Sequence, residues 1–194
     1  MSYEMIDTDR DQGVGIITLS RPEVLNALNF QMVSELDQAI TEMEEDDGIR
    51  AIVLTGAGDR AFSAGADIHE QKAAAQELSR EELAGRLGTR AEFSWHVGAC
   101  VKPTIGAMNG LAYGGGGVLA TSLDIRIGCE RTIFRFLAAA YGRLNTTWTL
   151  PIIVGVPMAK ELLFSGREVS AEEAYRIGLL NHLAPVGRVM DKAM

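Results

Sequence analysis

Two glycine-rich stretches, FSAGADI at residues 62–68 and NGLAYGGGGVLA at residues 109–120, constrain this chain more than any other feature. Each follows an apolar run of strand character: AIVLTG (51–56) before the first and PTIGAMNG (103–110) before the second. A strand, a glycine turn and a helix together aim bare backbone N–H groups at a ligand. Small residues let the main chain approach closely, and the helix start adds the positive end of its dipole. Two such donors converging on one oxygen form an oxyanion hole. Chemistry at a carbonyl or thioester is the implied use.

The rest of the chain alternates strands and helices. GVGIITLS (13–20) is an apolar strand closed by Arg21-Pro22. Asn29 caps a helix whose Met32, Leu36, Ile40 and Met43 fall on one stripe, and Gly48 ends it. Ser79 with Glu82 has capping-box spacing and opens a helix to about Val97; Ser170 with Glu173 repeats the spacing before Gly178. LDIRIG (123–128) and TIFRF (132–136) read as strands, and residues 146–154 as a helix. No repeat or linker interrupts the pattern. With 194 residues, 47% of them hydrophobic, the chain can bury one core. The expectation is a single α/β domain over residues 1–194, built from crossover units.

Several functions are disfavoured. Gly56-x-Gly58-x-x-Ala61 nearly matches the dinucleotide fingerprint, but that fingerprint needs a helix opening at its glycines, and here the chain runs on as DRAFSAGAD. A net charge of −8 argues against nonspecific nucleic-acid binding. Cys100 and Cys129 lack ligand or CxxC spacing and read as reduced, mostly buried thiols. His69, His96 and His182 are dispersed, so no metal site is expected. No serine sits in a GxSxG elbow. The charged start MSYEMIDTDRDQG lacks an apolar targeting segment, and no run has membrane-spanning length, so a soluble cytoplasmic protein without a membrane partner is expected.

RPEVLNALN (21–29), AIVLTGAGDRAFSAGADI (51–68), KPTIGAMNGLAYGGGGVLA (102–120), DIRIG (124–128) and GREVSAEEAYRIGLLNHLAP (166–185) together resemble the crotonase superfamily, the enoyl-CoA hydratase/isomerase family. The resemblance runs in order through nearly the whole chain. It implies a spiral of repeated ββα units that binds acyl-CoA thioesters, with coenzyme A entering as part of the substrate and no separate cofactor. It also implies that the acyl carbonyl is held by the N–H groups of Ala66 and Gly115. Contacts to the coenzyme are then expected around Ala64, Ala66, Asp67, Ile68, His69 and Gly115. Family members assemble as trimers or dimers of trimers. They usually continue past the point where this chain stops, so the C-terminal helical region is expected to be shortened. The expectation is a homotrimer with reduced order over residues 188–194.

The departures matter equally. Hydratases of the family use two glutamates to position water and move its proton, as suits paired carboxylates facing one water. The corresponding positions here hold Val118 and, aligning Phe134 with the family's phenylalanine, Ala138. Neither transfers protons. Three readings stay open: an enzyme running another enolate or oxyanion reaction, an acyl-CoA binder without turnover, and an assembly subunit. For the first, Tyr141, Arg143 and Asn145 are polar candidates in the expected pocket wall: a proton donor, a partner for a substrate carboxylate and an orienting amide. Their alternative is a turn with Arg143 solvated and Tyr141 packed in the core. Tyr113 is either an acyl-pocket residue or packed wall, and His69 is a weaker base candidate.

Overall fold

The computed structural model describes residues 3–194. A six-stranded sheet is built from β1 (Ile6–Asp11), β2 (Val14–Leu19), β3 (Ala51–Gly56), β5 (Thr104–Met108), β7 (Ile125–Gly128) and β10 (His182–Leu183), hydrogen-bonded in that order. A second, four-stranded sheet joins β4 (Ala61–Ser63), β6 (Leu111–Tyr113), β8 (Ile133–Arg135) and β9 (Glu168–Ser170). From β2 onward the large sheet is parallel; β1 runs antiparallel at its edge, with Ile6 opposite Leu19. The chain therefore visits the large sheet, then the small sheet, then a helix, and repeats. This is the expected ββα spiral.

Helices cover the sheets for local reasons. α1 (Phe30–Glu45) starts where the Asn29 side chain accepts from the Met32 N–H at 2.8 Å. Its Met32, Leu36 and Ile40 are fully buried, each burial being worth roughly 1.5–3 kcal/mol. α2 (Ile68–Glu77) buries only Ala74, and α3 (Arg80–Ala99) only Phe93 and Val97. The reciprocal Ser79–Glu82 capping box opens α3 as expected. Then follow α4 (Gly115–Ser122), α5 (Thr149–Val154), α6 (Val156–Ser165), α7 (Ala171–Arg176) and α8 (Val189–Ala193).

The start of the chain holds a strand, β1, whose only buried residue is Ile6. Two expectations need correction. The helix expected over 146–154 begins at Thr149, because Thr146 has φ 57°, outside the helical region. The expected loosening of residues 188–194 is replaced by α8, whose Val189 joins Val53, Ala107, Ile127 and Cys129 in an apolar cluster with Ile105 and Val14. His182 lies within β10. Cys129 is buried and Cys100 partly buried, both as free thiols.

Candidate active site

The residues that follow β4 form one arm of the candidate site. Leu28 donates its N–H to Gly65 O at 2.7 Å and its carbonyl accepts from Asp67 N at 3.0 Å, a parallel bridge centred on Ala66. Because bonding direction alternates along an extended chain, the Ala66 N–H points away from Leu28. Residues 21–29 hold this arm in place. Leu25 and Asn26 both take left-handed conformations (φ 56° and 54°), and Leu25 O accepts from Ala64 N at 2.8 Å. Asn26 is fully buried; its Nδ2 donates to Ala57 O at 3.0 Å and Ala61 O at 2.9 Å, and its Oδ1 accepts from Arg21 N at 3.0 Å. The Ser63 hydroxyl donates to Asn26 O at 2.8 Å and accepts from Gly65 N at 3.1 Å.

Asp67 closes the arm. One carboxylate oxygen accepts from Arg21 Nη1 at 3.0 Å; the other caps α2 by accepting from His69 N at 3.0 Å and Glu70 N at 3.3 Å. Burial pushes the Asp67 carboxyl up, but the bond from the Glu70 N–H, the Arg21 guanidinium and the bond from the His69 N–H outweigh it. The carboxyl ends below the ordinary carboxylate range.

The second arm follows β6. Gly114 donates to Arg135 O at 2.8 Å, and the first intrahelical bond of α4 runs from Val118 N to Gly114 O at 3.1 Å. Gly115, one residue into the helix, therefore has an N–H with no intrahelical acceptor. Gly65 makes the meeting of the arms possible. It has φ 90°, and a Cβ there would lie 2.5 Å from Tyr113 O and 2.7 Å from Gly115 N. A Cβ on Gly115 would lie 3.2 Å from Ala66 N, and one on Gly116 would collide with Ser63 O. Neither the Ala66 nor the Gly115 N–H has an acceptor among the described residues. Two unpaired donors on touching segments are what an oxyanion site requires.

Around these arms the structure distributes the other sequence-derived candidates. Val118 is half-buried in the first turn of α4, and Ala138 is half-buried before a single 3-10 turn at Ala139–Tyr141. Tyr141 is 67% exposed, which removes the reading of it as a core residue. Arg143 donates Nη1 to Gln71 Oε1 of α2 at 3.1 Å, which brings its loop against the first arm. Asn145 accepts from the Thr146 hydroxyl at 3.0 Å. Ile68 and His69 are exposed at the start of α2. Ala64 uses its N–H on Leu25, and Asp67 uses its N–H on Leu28 and its carbonyl on Gln71 N. Tyr113 turns away from the buried face of the small sheet and donates its hydroxyl to Glu168 at 2.8 Å.

Asn26, Ser63 and Arg90 were missed from the sequence. Asn26 carried a signal, since an asparagine in an irregular stretch suits a left-handed turn; Arg90 carried none beyond its place on a helix. A cleft of about 310 Å³ opens between α1 and α3 at Val33, Asp37, Phe93 and His96. Its imidazole is already engaged, with Nδ1 2.7 Å from Asp37 and Nε2 2.8 Å from Glu44. Among the described residues no cluster of His, Cys, Asp and Glu could hold a metal ion, and no helix is long and apolar enough to cross a membrane.

Comparison with known proteins bears on the family and the fold. The family model described as enoyl-CoA hydratase/isomerase matches residues 9–194. The short-chain-enoyl-CoA hydratase of Clostridium acetobutylicum is 36% identical over 198 residues, a match covering 100% of this chain and 74% of that protein. The crotonyl-CoA hydratase of Syntrophomonas wolfei is 37% identical over 186 residues, covering 93% of this chain and 69% of its own. The solved enoyl-CoA hydratase of Bacillus anthracis superposes with a TM-score of 0.91 at 32% identity, covering 98% of this chain and 74% of that one. The chain has the crotonase fold and belongs to the enoyl-CoA hydratase/isomerase family.

Proposed function

We propose that this protein binds an acyl-CoA thioester and stabilises an enolate-like anion on its carbonyl oxygen with the N–H groups of Ala66 and Gly115. One observation carries the reading: the arms meet so closely that Gly65 leaves no room for a Cβ, yet both N–H groups lack acceptors. Fixed donors of this kind need no reorganisation as charge develops. The oxygen they hold gains charge when the α-carbon loses a proton or a carboxylate, when a neighbouring C–C bond breaks, or when a nucleophile adds to the carbonyl, so the same cradle serves isomerisation, decarboxylation, C–C cleavage and thioester hydrolysis. On this reading hydration through paired glutamates is absent or very weak, because Val118 and Ala138 have no proton to give or take.

Infrared difference spectra of a bound, carbonyl-labelled enoyl-CoA test the cradle directly. The C=O stretch moves to lower wavenumber in the native protein and returns toward its solution value in Ala66→Pro, which lacks that donor. A bound ester with an unshifted carbonyl in the native protein refutes the assignment.

Val118 and Ala138 also favour a second reading, in which the ester is held without being turned over. Affinity and chemistry rest on different interactions. Mass spectrometry of a thioester panel after incubation separates the two: a changed acyl group identifies the enzyme, and an unchanged panel with saturable binding identifies the carrier. We extend the family's assembly to this chain as a homotrimer. Light scattering showing a monodisperse monomer would remove that part.

A further inference from the structure

Beside the first arm lies a convergence of positive charge that oxyanion chemistry does not use. Arg90, on α3, has a side chain only 17% exposed. Its Nη2 donates to Leu28 O at 3.1 Å, the same carbonyl that accepts from Asp67 N. Its Nε is buried and donates to nothing among the described residues. Orphaned donors of this kind are rare in protein interiors, and an acceptor from outside the chain resolves them.

The obvious counter-ion, Glu70, is shared and makes only a long ion pair with Arg90. Both oxygens of Glu70 accept from the Phe30 N–H, at 3.1 and 2.9 Å, leaving only a 3.4 Å approach to Arg90. Arg86 and Arg90 also lie over the Phe30 ring, 4.7 and 4.5 Å from its centroid. From the neighbouring loop Arg143 reaches α2, where it bonds neutral Gln71 rather than a carboxylate. Burial lowers the pKa of the Arg90 guanidinium; Glu70 offsets this in part, the charge of Arg143 lowers it further, and Asp67 offsets it again. Asp67 is itself paired with Arg21. In a chain of net charge −8, this local excess of arginine has no bulk explanation.

An anionic oxygen group is the chemical complement of these donors, and the burial of Arg90 narrows its kind. A carboxylate is a small planar monoanion whose paired oxygens match the guanidinium fork. A phosphate ester would bring a second charge and more hydrated oxygens against a desolvated wall. Leu28, which Arg90 touches, is the bridge partner of Ala66. The subsite therefore adjoins the arm that we assign to the thioester carbonyl.

We propose that Arg90 and Arg143 form a carboxylate subsite for the far end of the acyl group, so that the substrate class is a dicarboxylyl-CoA ester. This rests on the thioester reading and narrows it. Substrate specificity is then set partly by α3 and by the loop after the Ala139–Tyr141 turn, not only by the glycine arms.

Titration calorimetry with glutaryl-CoA and pentanoyl-CoA tests the idea, since the two esters match in chain length and differ by a carboxylate replacing a methyl. The native protein should prefer glutaryl-CoA by about tenfold or more, the range of a charge-assisted hydrogen bond. Arg90→Gln and Arg143→Gln should each bring that ratio close to one. Arg143 is exposed, so its variant carries the test if Arg90→Gln does not fold. A native ratio near one overturns the subsite while leaving thioester binding intact. Equal weakening of both esters, shared by free coenzyme A, also overturns it and assigns the arginines to a coenzyme phosphate. If neither ester binds, the thioester reading itself fails, and the subsite falls with it.

Discussion

The two arms of the site present the same group, a backbone N–H, and are held by opposite means. The Ala66 arm is fixed by polar side chains: Asn26, Ser63, Arg21 and Asp67 all bond to its backbone or to the loop that supports it. The Gly115 arm has no side-chain cap at its helix start and is fixed by packing without side chains, where Gly65 and Gly116 meet backbone directly. A polar lattice can be weakened one bond at a time and answers to pH. A steric contact between backbones has no such gradation, because main chain cannot change rotamer to make room.

The sharpest way to break this contrast is Gly116→Val. Its Cβ would collide with Ser63 O and lie 2.9 Å from both the carbonyl carbon and the Cβ of Ser63, all in the opposite arm. The expected loss is about 3 kcal/mol or more, the upper range for overpacking a filled interior, together with loss of acyl-CoA binding. Urea denaturation and ester titration measure both. A variant within about 1 kcal/mol of native stability that still binds the ester would show that the arms do not need this contact.

Asn26→Ala tests the other arm and should do less. It strips the Ala57 and Ala61 carbonyls and the Arg21 N–H of their partner, in a position with no exposure. It also removes a residue type that tolerates the left-handed conformation. About 2 kcal/mol should be lost, since buried groups left unpaired cost more than a made bond contributes. Ester affinity should weaken without vanishing, because Ser63 and Asp67 still hold the arm. Complete loss of binding in a stably folded Asn26→Ala protein would mean that the lattice is all-or-none, like the steric arm.

The same contrast explains what could be read from the sequence. The glycine arm was legible because its mechanism is local: consecutive small residues at a helix start have few other uses. β3 and α1 were legible because Ile52, Val53 and Leu54 are buried together and Asn29 caps a regular apolar stripe. The polar lattice was not legible. Arg21 and Asn26 lie far in sequence from their partners Asp67 and Ala61 and meet them only after β2, β3 and β4 are in place. β1 hid behind its charges, as an edge strand with one buried residue can. The ββα repeat hid because β4 and β6 are only three residues each. At Ser170–Glu173 the capping-box spacing produced half a box. The hydroxyl accepts from Glu173 N at 3.3 Å, but the Glu173 carboxylate takes two 2.8 Å bonds from Arg167 instead. Arg90 needed three-dimensional context entirely, because nothing in its helix predicts a buried donor without an acceptor.

The smallest expected effect separates the arms by titration. Asp67 supports the Ala66 arm as a carboxylate, with a folded pKa held below its ordinary value, whereas the segment GGGGVLATS that carries Gly115 has no titratable side chain. A depressed folded pKa means that the stabilisation is complete above the unfolded value of about 3.9 and drains away as pH falls through the folded value. The Asp67–Arg21 pair is mostly shielded, with side-chain exposures of 12% and 18%, so salt screens it weakly. Asp67→Asn keeps an N-capping oxygen but gives up the charge. At neutral pH it should cost about 1 kcal/mol, the margin between a charged and a neutral acceptor. Its stability should also fall less than that of the native protein as pH is lowered from about 6 to about 3. Glu44 and Glu173 also have lowered pKa values, so the difference between the two pH profiles, and not the native profile alone, reports on Asp67. Superimposable acid limbs would mean that the Ala66 arm does not depend on this ion pair and is held, like its partner, by packing.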